Sequence, residues 1–189
     1  MGEKTLKRYE PKKKVGLIVV ITGGGKGKTT SALGMAVRAA GHGMKVCIIH
    51  FMKGDMFSGE FEALERLSPD IEFHIMGKGF YYGIKGDKLL PKQHQKAAKE
   101  ALRVAEEKML SGKFDMLILD EINNALSLGL IRLEEVLGLL DKKPPLVHIV
   151  LTGRDAHPEV IEKAHTVTET REIKHAFLSG IEPQKGVDY

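Results

Sequence analysis

Residues 15–30 read VGLIVVITGGGKGKTT. The stretch 15–22 is a continuous apolar run, the pattern of a β-strand buried on both faces. Glycines follow, and then a helical pattern over 28–41 that stops near Gly41 and Gly43. Strand, glycine-rich loop and helix in this order match G-x-x-x-x-G-K-[ST] at every position but the first, where Thr22 stands in place of glycine. Gly23, Gly24, Gly25 and Gly27 let the backbone turn with few steric limits and aim N–H groups inward at an anion. Lys26 and Lys28 add positive charge, and the helix that begins with Lys28, Thr29 and Thr30 adds its positive end. The Thr29 hydroxyl is a candidate Mg²⁺ ligand. The plainer alternative is a glycine-rich turn that binds nothing.

Outward from this stretch, β-rich runs alternate with helical ones. Strands are expected over 45–51, 70–76, 116–120 and 146–152, with a weaker sixth at 165–170. Helices are expected over 59–67, 91–111, 132–141 and 157–164. Pro91 and Pro158 suit first turns. In the longest helix Ala97, Ala101, Leu102, Ala105 and Met109 mark an apolar stripe. Such alternation implies right-handed crossovers and a mainly parallel sheet of about six strands covered on both faces. The fold class expected is α/β, a three-layer, RecA-like P-loop NTPase fold, with 1–14 as a tail and 15–189 as one domain. The segment 77–90, GKGFYYGIKGDKLL, has no clean period; loops this long in compact domains are usually functional or mobile.

A phosphate loop needs an acid strand to complete it, and LILDE at 117–121 supplies one. Asp120 and Glu121 would lie at the sheet's carboxyl edge, where open α/β sheets bind ligands. With Thr29 they make a hard-oxygen set suited to Mg²⁺; alone, they would read as a helix N-terminus. A nucleoside triphosphate with Mg²⁺ follows from these residues. The guanine-reading N-K-x-D pattern is absent, which favours ATP. No residue declares itself as a base. His50, His74 and His148 fall in strand-like runs and read as core or edge histidines without a role.

The 189 residues carry 29 Lys+Arg and 25 Asp+Glu, a formal charge of +4. The first fourteen residues, with six basic and two acidic side chains, hold the whole surplus. A tail of this kind is usually a solvated end, with a nucleic-acid arm as the sharper alternative. The single cysteine, Cys47, excludes an internal disulfide and a Cys-based zinc site. No apolar run approaches the roughly 20 residues of a membrane helix. Without a signal-peptide core at the basic N-terminus, a cytoplasmic location is expected.

From residue 15 to 189 the chain resembles the P-loop type of ATP:corrinoid adenosyltransferase, the CobA/BtuR/CobO group. The resemblance rests on GGGKGKTT at 23–30, FMKG at 51–54, GE at 59–60, GFYY at 79–82, LDE at 119–121, LTGR at 151–154 and the tail from Lys174 to QKGVDY. It implies transfer of the 5′-deoxyadenosyl group of ATP to Co(I) of a corrinoid (cobalamin, cobinamide or cobyrinic acid a,c-diamide), with release of triphosphate. Co(I) is itself a strong nucleophile toward C5′, so no base is required; the protein aligns the reactants and stabilises charge on the leaving group. The resemblance also implies an ATP reversed in its loop, with the γ-phosphate where relatives of other families place the α-phosphate. Phe80 and Tyr82 would press on the lower face of the corrinoid and displace its axial ligand.

Three positions depart from the family pattern: Tyr82 where tryptophan is usual, Gly24 where asparagine is frequent, and Pro183 where alanine is frequent. Arg154 follows a buried strand and would bring a permanent cation near the phosphates, or else form a surface salt bridge. Lys53 would reach phosphate or a corrinoid amide, or else stay solvated. An electron-donating flavoprotein or other reductase and a homodimer are the partners implied, and the N-terminal segment would fold over the site. The rival functions are a P-loop ATPase or kinase acting at the γ-phosphate and a RecA-like nucleic-acid-binding module.

Overall fold

The computed structural model describes residues 9–54, 57–79 and 90–189. The apolar run becomes strand β1, Ile18–Thr22, buried at all five positions. The glycines lead into helix α1, Lys28–Ala40. Strand β2, Val46–His50, helix α2, Gly59–Glu65, strand β3, Ile71–Ile75, and helix α3, Leu90–Leu110, follow. The acid strand is β4, Met116–Asp120. Helices α4, Ile122–Ser127, and α5, Leu133–Asp141, precede β5, His148–Thr152. Helix α6, Pro158–Lys163, strand β6, Thr166–Glu169, and a 3₁₀ turn at Ala176–Ser179 complete the order. Helix α4 was not expected from the pattern; at six residues it is too short to show a period.

The six strands form one sheet in the order β3-β2-β4-β5-β1-β6, parallel at every pairing. The acid strand therefore does not lie next to the phosphate-loop strand, because β5 separates them. Alternate residues feed two cores. Val20, Cys47, Ile49, Leu117, Leu119, Ile149 and Leu151 face Ala98, Ala101, Ala105 and Met109 of α3. On the opposite face Val19, Ile21, Ile48, Ile118 and Val150 meet Ala32, Ala36 and Ala39 of α1. Small side chains on α1 let the helix lie close to the strands whose ends form the site. The expected α3 stripe holds at Ala101, Ala105 and Met109, whereas Ala97 and Leu102 are only half-buried and Ala98 takes the buried place beside Ala97.

Beneath α3, Cys47, Glu72 and His74 bring their side chains together. Lys108 already pairs with Glu72, and His74 Nε2 lies 2.6 Å from the same carboxylate oxygen, so the group is satisfied by its own contacts. Burial pushes the Cys47 thiol up to about 12, which keeps it neutral and unreactive. No helix among the described residues is long and apolar enough to cross a membrane.

Two histidines pin the start of β1. His148 Nδ1 accepts the Leu17 N–H at 3.1 Å, and His165 Nδ1 accepts the Ile18 N–H at 2.9 Å. Burial first and Lys143 second hold the His148 pKa below its ordinary 6.5. Between the folded and the unfolded value the native chain binds fewer protons than the unfolded one. This contribution is therefore present above pH 6.5 and is lost as pH falls through the folded value. His148→Gln should flatten the acid side of the Tm–pH curve below that point, as measured by thermal melts; an unchanged acid limb would remove His148 as its cause.

Candidate active site

The phosphate loop takes its shape from two glycine features. Gly27 sits at φ 107 directly before α1, a left-handed conformation that side chains resist. At Gly25 an added Cβ would meet the backbone of Thr170 and Arg171 within 2.9 Å. The chain leaving β6 clasps the loop at that point. The Gly25 N–H donates to the Thr170 carbonyl at 2.9 Å, and the Thr170 hydroxyl lies 2.9 Å from the Gly25 carbonyl and 3.0 Å from that of Thr22. Gly24, by contrast, has nothing within 4 Å of a Cβ, so the asparagine frequent at this position would fit without displacing a neighbour. Lys28 Nζ donates to the Gly25 carbonyl at 2.6 Å, across the mouth of the loop. Burial and then the nearby Arg154 charge lower the Lys28 pKa, against the pull of Glu121 and Asp120.

Although a strand separates β1 from β4, α1 carries Thr29 back to the acid. Thr29 Oγ1 lies 2.8 Å from Asp120 Oδ1, and Thr152 Oγ1, on the intervening β5, lies 2.7 Å from the same oxygen. His50 Nδ1 meets the other oxygen, Oδ2, at 2.9 Å. Asp120 is 1% exposed; burial alone would raise its pKa, but the His50, Thr152 and Thr29 hydrogen bonds outweigh it and hold the group below the ordinary carboxylate range. His50 is thus a partner of the acid, not a mere filler of the core. Its Nε2 has no hydrogen-bond partner among the described residues, and its ring meets Phe61 edge-on at 5.6 Å.

Glu121 adopts φ 62, a left-handed conformation rare for a residue with a side chain, and its N–H donates to Thr152 Oγ1 at 2.9 Å. Burial and then Asp120 push its pKa up to about 7, despite Lys53, Lys28 and Arg154. Two carboxylates crowded beside a threonine hydroxyl fit a divalent cation, which would relieve their repulsion with the hard oxygen ligands it prefers.

A cavity of about 680 Å³ opens over these groups, lined by the phosphate loop, Lys53, Glu60, Glu121, Arg154 and the end of the chain. The Arg154 backbone N–H donates to Asn124 Oδ1 at 2.9 Å, and its side chain makes no ion pair among the described residues. A smaller apolar cavity of about 140 Å³ adjoins it at Met52, Phe57 and Gly79, with Lys53, Glu121, Asp188 and Tyr189 bordering both.

The family of ATP:corrinoid adenosyltransferases BtuR/CobO/CobP matches residues 14–189. The chain belongs to that family. It is 41% identical over 175 residues to a corrinoid adenosyltransferase of Pseudomonas aeruginosa, covering 92% of this chain and 84% of the relative. Against a corrinoid adenosyltransferase of Escherichia coli K12 the figures are 38% over 174 residues, 92% and 86%. Among solved structures, the flagellar accessory protein FlaH of Methanocaldococcus jannaschii aligns with a TM-score of 0.53 at 14% identity, over 82% of this chain and 71% of that one. A KaiC-like protein of Pyrococcus horikoshii aligns with a TM-score of 0.50 at 18% identity, over 85% and 75%. These two likenesses show the three-layer P-loop NTPase fold and nothing of the activity.

Of the site residues expected from the sequence, the structure brings together Gly23, Gly24, Gly25, Lys26, Gly27, Lys28, Thr29, Thr30, Lys53, Asp120, Glu121 and Arg154 at one edge of the sheet. Phe80 and Tyr82 lie outside the described residues. Gly79, the residue before Phe80, borders the smaller cavity, and a Cβ on Gly54 would come within 2.4 Å of its backbone nitrogen. The FMKG loop and the segment Lys78–Gly79 are therefore in close backbone contact. Lys53 is not solvated: it pairs with Glu60 and lies 5.3 Å from the Phe61 ring centroid. Sequence reasoning missed His50, Thr152, Thr170 and Asp188. Thr152 and Asp188 had a signal, inside the LTGR and QKGVDY motifs, but no role followed from it.

Proposed function

We propose that this chain transfers the 5′-deoxyadenosyl group of ATP to the Co(I) of a corrinoid and releases triphosphate, in the synthesis or salvage of the adenosylated corrinoid. The observation that carries the reading is the 2.8 Å contact of Thr29 with Asp120. It joins loop and acid, which supports reading them as one triphosphate site, next to a second, apolar cavity that reaches Gly79. Attack of Co(I) on C5′ forms the Co–C bond, and the C5′–O bond breaks with its electron pair leaving on triphosphate. The chain's part is to orient the nucleotide along 23–30 and to place Lys28, Lys26 and Arg154 around the departing charge. Thr29, Asp120 and Glu121 would hold Mg²⁺, which when bound supplies further neutralisation of that charge.

Phe80 and Tyr82 are assigned to the lower face of the corrinoid, where Tyr82 keeps an aromatic face but adds a hydroxyl that needs a partner. A flavoprotein or other reductase supplying the electron, a homodimer, a cytoplasmic location and the 1–14 tail as a cover over the site belong to the same reading. One rival is a P-loop ATPase, in which the Glu121 carboxylate at the end of the acid strand would activate water. The products decide between them. With ATP, Mg²⁺ and chemically reduced cob(I)alamin, adenosylcobalamin should appear in the absorption spectrum together with inorganic triphosphate. ADP and orthophosphate alone would overturn the proposal.

A further inference from the structure

Lys26, assigned above to the departing charge, already holds an anion. Its Nζ lies 2.8 Å from Asp188 Oδ1, with the two side chains 44% and 25% exposed. The aspartate is held from behind by a tight turn. Its Oδ2 accepts the Gln184 backbone N–H at 2.8 Å, and its own N–H donates to the Gln184 carbonyl at 2.8 Å. Gly186, at φ 77, closes the turn by donating its N–H to the Tyr189 carbonyl at 2.8 Å. Asp188 is therefore the fixed member of the pair, and the lysine, at the end of a flexible stem, is the mobile one. The Gln184 N–H first, and Lys26 second, hold the Asp188 carboxyl below its ordinary range, so it is anionic at neutral pH. Both residues line the cavity over the phosphate loop. A carboxylate there weakens the binding of any polyanion in two ways, by repulsion and by occupying a cation.

We propose that Asp188 is a positioning residue that competes with triphosphate for Lys26 and thereby speeds release of that product. The inference rests on the adenosyl-transfer reading, in which the whole triphosphate chain leaves as one piece. A loop built to stabilise charge on the leaving group binds that group well once it is free, and tight product binding limits turnover. Returning Lys26 to Asp188 removes one cation from the bound chain. The exposed setting suits this role, since exposed ion pairs are weak enough to exchange readily. Asp188 also stands where the two cavities meet.

The test is Asp188→Asn, read by equilibrium binding of inorganic triphosphate and by its release rate in stopped flow. Triphosphate should bind about three- to tenfold more tightly and leave more slowly by a similar factor. Adenosine, which carries no phosphate, should bind as in the parent protein. In a Lys26→Met background the gain from Asp188→Asn should shrink, because the competition it relieves is already gone. Unchanged or weaker triphosphate binding in Asp188→Asn overturns the inference. So does an equal gain for adenosine, or an undiminished gain in the Lys26→Met background. Parent protein that forms only ADP and orthophosphate would overturn the adenosyl-transfer reading itself, and this inference with it.

Discussion

Lys28→Ala should lower turnover by about 10²–10³-fold, equivalent to roughly 2.7–4 kcal/mol, the scale of losing one donor aimed at developing charge in a site that excludes water. The position of the ammonium explains the size of the effect. It hangs across the mouth of the loop on the Gly25 carbonyl, partly buried and already lowered in pKa by burial and by Arg154. A cation held where its charge costs energy gains most when a polyanion arrives. Triphosphate release from ATP and cob(I)alamin, with a thermal melt to show that the variant is folded, measures the loss. Because the contact strengthens as the C5′–O bond breaks, kcat should fall more than the apparent affinity for ATP. Near-normal turnover in a folded Lys28→Ala protein would contradict the site assignment.

Asp120→Ala should destabilise the ligand-free protein by roughly 2–5 kcal/mol, the range for removing one partner of a buried, hydrogen-bonded charge. Three donors lose their acceptor at once: His50 Nδ1 at 2.9 Å, Thr152 Oγ1 at 2.7 Å and Thr29 Oγ1 at 2.8 Å. The hydroxyls can rotate to other acceptors, but the His50 ring is completely buried and its second nitrogen already lacks a partner among the described residues. Asp120→Asn keeps the shape and one acceptor, so it should lose about half as much. Denaturant melts of both variants give the comparison. An Ala variant within experimental error of the parent protein would mean that the cluster is not part of what holds the sheet edge together.

The fold was legible where physics acts locally. Continuous apolar runs marked the strands, and glycine and proline marked where α1 and α6 stop and start. Even the weak sixth strand, expected over 165–170, is present as β6. Strand order was not legible, because the placement of β5 between β1 and β4 depends on crossovers that no local pattern records. Within the site, residues with a distinctive chemical type could be picked out: Lys28, Thr29, Asp120. His50 could not, since a histidine inside an apolar run looks the same whether it fills space or grips an acid. Thr170 left no trace, and Asp188 stood only inside the QKGVDY tail, with no role attached to it. Each acts on the phosphate loop from a distant part of the chain, and nothing in the residues around them announces the target.

The clasp of Thr170 on the loop ties nucleotide affinity to the least protected part of the sheet. Strand β6 is an edge strand exposed at all four positions, and among the described residues its one sheet partner is β1. Edge elements of this kind open locally at a small fraction of the free energy of global unfolding. Whenever β6 frays, Gly25 loses its bond to Thr170 and the loop loses its template, so the binding-competent population is set partly by that opening equilibrium. A triphosphate that binds only the closed loop draws the equilibrium back by mass action. The nucleotide thus acts as a folding ligand for the margin of the protein.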